Sequence, residues 1–404
     1  MSRLERQVLI AVYPARFPAS PAWEPGPLIL QHGHVRSTAE ARGQYYSAKA
    51  ARVLYGDAEH PQRWHDATRR TVGNVEVIGV EALQARFSDA GGLVAIHLRP
   101  RNGTLIPLVR GLAGRRGAPP IGFDPQAVLH GQAVIEPDAH PFTVSFVTAT
   151  RQGLPRLYLQ PRYWRWSATN QWLWALGSRS TFADYPPDSR NLEPRDDEVI
   201  RLSSDWHAVV LRDGMGAVGI RPDQGPEDPF FGYAEVYLRS IYLDAILLGL
   251  LQQQEITRLE EHAVAALDSS LKTAMADLER QVSSFRRHLW AQHLTPHGVP
   301  NRLLSAYQRQ HMLPGRYEQI LSDISDFNRL TRDEESRYVN SAIVVFTLVT
   351  VPAGIALALL QVMETDNPWL YFAVAVVCVI FTGLLLLTRS ARTALQALRR
   401  RFTL

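Results

Sequence analysis

Among 404 residues there is a single cysteine, Cys378, set inside an apolar run. One thiol closes no disulfide and completes no cysteine metal site within a chain, which excludes a disulfide scaffold and fits a reducing compartment. Lysine is nearly missing: Lys49 and Lys272 are the two, and arginine carries the rest of the positive charge. The formal net charge is only +4, and the basic residues are spread along the chain except at its C-terminal end, so no nucleic acid is expected as a partner. The N-terminus has an early Glu5 and no long apolar stretch, unlike a secretory signal. The glycine-rich segment 111–122 lacks Gly-Lys-Ser/Thr and is not a P-loop. No Gly-x-Ser-x-Gly elbow, carboxylate pair or zinc-hydrolase motif appears, so no enzyme activity is expected.

What is present is an ordinary globular composition, 46% apolar and 20% charged, on a chain long enough for two or three domains. Segments 6–13, 75–82, 92–98, 127–136 and 142–148 are rich in Val, Ile, Leu and Phe between turn residues, as strands are. Ser37 and Glu40 form a capping-box pattern ahead of a helix reaching Leu54. Residues 206–211 and 217–221 flank Asp213-Gly214-Met215-Gly216, a hairpin signal. These features predict an α/β domain over residues 1–229 with a mainly antiparallel sheet. The segments 185–197 and 222–229 read as loops. Residues 230–338 read as long helices and a stalk, with breaks at Pro296 to Pro300 and at Pro314-Gly315. Tyr317, Ile320, Leu321, Ile324, Phe327 and Leu330 form a stripe at spacings of three and four.

Two uncharged runs close the chain, 339–363 and 367–388, each of the length a helix needs to cross a bilayer. They predict a transmembrane hairpin: a first helix at 339–363, an outer loop at 364–368, a second helix at 369–388 and a basic tail at 389–404. Arg329, Arg332 and Arg337 before the first run and Arg389, Arg392, Arg399, Arg400 and Arg401 after the second put both termini on the cytoplasmic side of a bacterial-type inner membrane, by the distribution of basic flanks. Trp369 and Tyr371 sit where interfacial aromatics belong.

An α/β domain, long helices, a stalk entering the membrane, a very short acidic loop, a second span and a basic end: this order resembles the CorA superfamily of divalent metal-ion transporters, ZntB-like members included. The resemblance covers about residues 233–404. Thr350-Val351-Pro352-Ala353-Gly354-Ile355 stands where the family commonly has a mid-membrane proline, and Arg399-Arg400-Arg401 matches its basic end. The family's Gly-Met-Asn signature is absent, with Gln361-Val362-Met363 in its place. The resemblance implies a homopentamer in a lipid bilayer, an α+β domain followed by helices and the hairpin, and a divalent cation (Mg, Zn, Co or Ni) as transported or regulatory ion, with no other cofactor.

If five copies surround an axis, steps of three and four from Asn340 line it with Ile343, Thr347, Thr350, Val351, Gly354, Ala358 and Gln361, which hold most of the polar and small residues of the run. Glu364 and Asp366 form an outer acidic mouth, and Asp333, Glu334 and Glu335 an inner one. The same residues Gly354 and Ala358 also suit close helix packing. The function this implies is an oligomeric cation channel or transporter. The alternative is a membrane effector whose N-terminal domain senses a small molecule such as a nucleotide. A third reading is an anchored binding domain with no pore.

Other candidates are sparser. His293 and His297 have a helical metal-ligand spacing, but Pro296 lies between them and no carboxylate completes the set. Tyr163-Trp164-Arg165-Trp166 and Gln171-Trp172-Leu173-Trp174 predict a hairpin with indoles on one face, with Arg and Trp able to stack a base. His32, His34, His65 and His97 fit structural roles.

Overall fold

A computed structural model describes residues 4–362 apart from 19–20, 58, 85–90, 102–104, 116–117, 119–121, 151–152, 188–197, 270–271 and 292; beyond 362 it describes 369, 372, 376, 377 and 380. The chain divides into two compact units, residues 1–320 and 321–404.

The first unit is built on one sheet of β1 (Leu4–Arg16), β2 (Glu24–Pro25), β3 (Arg63–Asp66), β4 (Val75–Gln84), β5 (Gly92–Pro100), β6 (Phe142–Ala149), β7 (Val199–Arg201), β8 (Trp206–Val210) and β9 (Gly214–Gly219). Their order across the sheet is β7-β8-β9-β6-β1-β5-β4-β3-β2, with Arg70–Val72 added beside β4 and Val134–Ile135 beside β1. Pairing is antiparallel except between β6 and β9, which run parallel. Val8 to Tyr13 of β1 are all buried, as a central strand covered on both faces requires.

One cover consists of α3 (Leu105–Leu112) and α4 (Ala168–Ser178), which share a core with Leu9, Ala11 and Tyr13. It follows α1 (Ala39–Gly43) and α2 (Ala48–Tyr55) in the chain. The other cover comes from α5 (Pro229–Tyr237), a π-helical turn at Leu238–Tyr242, α6 (Leu243–Ser269), α7 (Lys272–His288) and α8 (Gly298–Gln310). Phe146 of β6 meets Phe231 and Trp206 there, and Phe142 meets Tyr307.

Local chemistry decides several of these elements. Asp228 accepts from Phe231 N at 3.0 Å and caps α5, with Pro229 at the first helical position. Gly216 lets β9 approach α4: a Cβ there would stand 2.8 Å from the Leu173 carbonyl. The glycines at 214 and 216, expected as a turn, are therefore strand residues chosen for close backbone approach.

Other expectations change. The helix from 37 to 54 is two helices, capped by Thr38 and Ser47. Asp124 caps a single helical turn at Pro125–Val128, leaving only Val134–Ile135 as strand in the predicted 127–136. The tryptophan hairpin is instead a 3-10 turn at Pro161–Tyr163 followed by α4, because Ser167 accepts from Asn170 N at 3.1 Å and starts a helix where a turn was expected. The break expected at Pro314-Gly315 falls just before them, at His311 and Met312, the latter at φ 53°, and Pro314 lies in the first turn of α9 (Leu313–Val362), where proline costs no hydrogen bond.

The expected fold class holds as α+β and is corrected in its membrane part. Among the described residues, no helix is long and apolar enough to cross a membrane. This overturns the two-helix transmembrane hairpin of a CorA-like homopentamer and the multi-pass inner-membrane placement with both termini cytoplasmic. Residues 339–362 are not an element of their own. They are the distal part of the 50-residue α9, which begins as a stalk carrying Asp323, Asp326, Arg329, Arg332 and Asp333. The predicted second span and the basic tail lie outside the described residues, the few positions named above excepted.

Candidate functional site

Within the first unit, a cavity of about 620 Å³ opens between one end of the sheet and the helices α6 and α8. Its helical wall is one face of α6, where Leu250, Gln253, Gln254, Thr257, Arg258 and Glu261 recur at spacings of three and four. Its floor combines the end of β1, the approach to β6 and the β8–β9 turn, which contribute Arg16, His140, Arg212 and Asp213. Tyr307 and His311 of the α8 region close it.

Arg179 anchors the wall. It ends α4 in the left-handed region at φ 54°, a backbone cost that a well-packed surrounding must offset. Its Nη1 donates to the Pro141 carbonyl at 2.5 Å, and Nη2 stands 3.5 Å from Asp213 Oδ2. Burial lowers the guanidinium below its ordinary value, against the attraction of Asp213. The His311 ring stacks on Tyr307 with centroids 4.4 Å apart, and the Tyr307 hydroxyl donates to Gln253 Oε1. Burial pushes the His311 imidazole below its usual value, opposed by the Arg212 backbone.

Most of the lining charge is paired. Arg16 lies 3.9 Å from Glu136, Arg179 is paired with Asp213, and Arg258 is held by Glu255. Among the described residues, Arg212 and Glu261 line the cavity without an ion-pair partner. Three buried atoms of lining residues also lack a partner: Arg179 Nε, Gln254 Oε1 and His311 Nε2. Buried polar atoms are usually satisfied, and these three leave the lining with unused donors and acceptors. No motif announced this site. The one trace in the sequence is the polar run Gln252-Gln253-Gln254-Glu255 directly after the apolar stretch 245–251 of α6.

A second constellation, also missed, is a buried ionic network on the opposite side of the sheet's centre. Arg42, Arg63, Glu81 and Asp244 are all essentially inaccessible. Arg42 Nη2 is 3.2 Å from Glu81 and Arg63 Nη2 is 3.2 Å from Asp244, while Tyr55 donates to Asp244 at 2.7 Å. Despite burial, which pushes it up, Glu81 is held well below the ordinary carboxylate range by Arg63 and Arg42. His97 lies against this network, 3.6 Å from Glu81. The network sets its two guanidinium groups against its two carboxylates, with Arg63 Nε and Nη1 and His97 Nε2 left without a hydrogen-bond partner.

The expected pore residues fall on α9. Asn340, Ile343, Thr347, Thr350, Val351, Gly354 and Ala358 are exposed, and their spacing puts them on one helix face. The Thr347 hydroxyl donates to the Ile343 carbonyl at 2.7 Å, and that of Thr350 to Phe346. Asp333 is exposed; Glu334, Glu335 and Gln361 are helical, and Glu364 and Asp366 lie outside the described residues. His297 packs its ring 4.9 Å from Tyr45 and stands just ahead of α8, so it shares no helix face with His293. Among the described residues no group of three metal-ligating side chains occurs. No family model, curated protein or solved structure matches the chain.

Proposed function

We propose that the first unit is a ligand-sensing domain whose cavity takes a small anionic molecule of about nucleotide size. The observation that carries this is the wall formed by Arg179, Arg212, His311 and Tyr307. It offers guanidinium groups for an anion, the partly exposed His311 ring, backed by Tyr307, for stacking and the Gln253 and Gln254 amides for a polar edge. A volume of about 620 Å³ lies in the range of small-molecule sites. The ligand bridges sheet and helices, so its binding ties α6 and α8 to the β8–β9 turn. Isothermal titration of the full chain with inorganic phosphate, AMP and ATP tests this. Binding of at least one probe is expected, weakened tenfold or more in Arg212→Ala, since a charge-assisted contact is lost. Arg36→Ala, an exposed arginine absent from the cavity lining, leaves it unchanged. Equal binding by Arg212→Ala, or no binding of any probe, rejects the assignment.

A second reading concerns assembly. Val339, Ile343, Phe346 and Val351 are large apolar side chains exposed on α9, and contiguous exposed apolar surface is a mark of association. We infer self-association through this face, which brings the Thr347 and Thr350 oxygens of several copies together as acceptors for a cation.

A further inference from the structure

The surface around Trp164 belongs to neither reading. From residue 139 to residue 183 the chain holds no aspartate or glutamate, yet it has arginines at 151, 156, 162, 165 and 179, the last buried in the cavity wall beside Asp213. Beneath this surface is a small aromatic core of Tyr163, Trp166 and Phe182, with Tyr158 and Trp174 packed on it. Tyr163 and Trp166 each stand edge-on to Phe182, at 4.9 and 5.3 Å. Two exposed aromatic side chains stand at its rim. Trp164 is 65% exposed with the Arg165 guanidinium 5.1 Å from its ring centre, and Tyr185, also 65% exposed, stacks on Trp174 at an angle of 10°. Arg156 donates to the Trp164 carbonyl at 3.2 Å, and Arg162 lies over Tyr163. Among the described residues Arg156, Arg162 and Arg165 have no carboxylate partner.

We infer that this surface docks single-stranded nucleic acid, its phosphates on Arg156, Arg162 and Arg165 and its bases against Trp164 and Tyr185. Structural aromatics would be buried, and structural arginines would be paired. Here two rings are open to solvent, and Tyr185 is stacked on Trp174 from the core, which lowers the entropy cost of stacking a base on it. Arginine is the one charged residue type between residues 139 and 183, as a phosphate chain favours, and Asp184 beside Tyr185 is paired with Arg110 at 2.8 Å. An anionic lipid surface shares the phosphate chemistry but needs a contiguous apolar wedge. Leu159 is the one large exposed aliphatic side chain among these residues, so the balance favours bases over acyl chains.

The test is fluorescence anisotropy of labelled 15-nucleotide oligo(U) and oligo(dT) on the full chain, over a series of salt concentrations. Three phosphate contacts give a log–log salt slope of about −2, from roughly −0.7 per contact on a single strand. Trp164→Ala weakens binding by roughly tenfold, the loss of one stacking platform, and Arg162→Glu with Arg165→Glu abolishes it. Both changes fall on exposed residues, and an unchanged melting temperature excludes misfolding. Arg212→Ala in the cavity leaves oligonucleotide affinity unchanged. The inference is overturned if neither oligonucleotide binds, if Trp164→Ala binds equally well, or if vesicles rich in anionic lipid bind in a Trp164-dependent manner while oligonucleotides do not.

Discussion

Arg42 Nη1 and Asp244 Oδ2 lie 3.3 Å apart with neither side chain reaching solvent, although 202 positions separate the residues in the chain. Arg42 belongs to the first short helix and Asp244 to the first turn of α6, next to the π-helical turn. Burial of both charges costs more than their attraction returns unless every remaining donor and acceptor is used. Here Arg42 also reaches Ser37, Leu28 and Glu81, and Asp244 also accepts from Arg63 and Tyr55. The pair therefore fixes where α6 leaves the sheet, and α6 carries the cavity wall.

Asp244→Ala leaves two buried guanidinium groups to share the single carboxylate of Glu81. A loss of about 3–5 kcal/mol is expected, read as a lower midpoint in urea unfolding. A change under about 1 kcal/mol would mean that water enters and the network contributes little.

Gly249 of α6 faces the Tyr307 ring, and a Cβ there would stand 2.6 Å from Cδ1. Alanine is the better helix former by about 1 kcal/mol, but Tyr307 is fully buried and cannot yield. Gly249→Ala is expected to lower stability by about 1–3 kcal/mol, the range for overpacking. It is also expected to weaken probe binding by displacing the Tyr307–His311 stack. Raised stability with intact binding would show that the ring moves freely.

Burial raises the pKa of Asp228, but hydrogen bonds from Arg221 and from the backbone of Gln224 and Phe231 outweigh it and hold the carboxyl at about 2. Its unfolded value is about 3.9. A depressed acid contributes stability that is fully present above the unfolded value and is lost as pH falls through the folded one. Stability is thus expected to drop between about pH 4 and pH 2, with a shallower slope in Asp228→Asn. Identical slopes in thermal melts across that window would assign the acid sensitivity elsewhere.

Ile343→Asp and Val351→Asp place charges on the exposed apolar face of α9. Sedimentation is expected to show a smaller species for the variants than for the parent chain. A parent chain that sediments as a monomer would remove the second reading.

Much of the sheet was legible because its strands are short runs of β-branched and aromatic residues between turns: segments 6–13, 75–82, 92–98 and 142–148 all lie within strands. The 206–221 hairpin and the helical character beyond residue 230 were legible for the same local reasons. The segment 127–136 and the tryptophan pair were misread because Asp124 and Ser167 act as helix caps, a signal one side chain wide.

The sequence by itself determined the strand-then-helix order and the helical character beyond residue 230, since periodicity, capping and composition are properties of neighbouring residues. Only the tertiary structure decided that Arg179, Arg212, Gln254 and His311 share a cavity and that Arg42 meets Asp244. Such meetings depend on how the sheet is ordered and on which face α6 presents to it. Burial against distant partners fixes that geometry, and no local pattern along the chain encodes it.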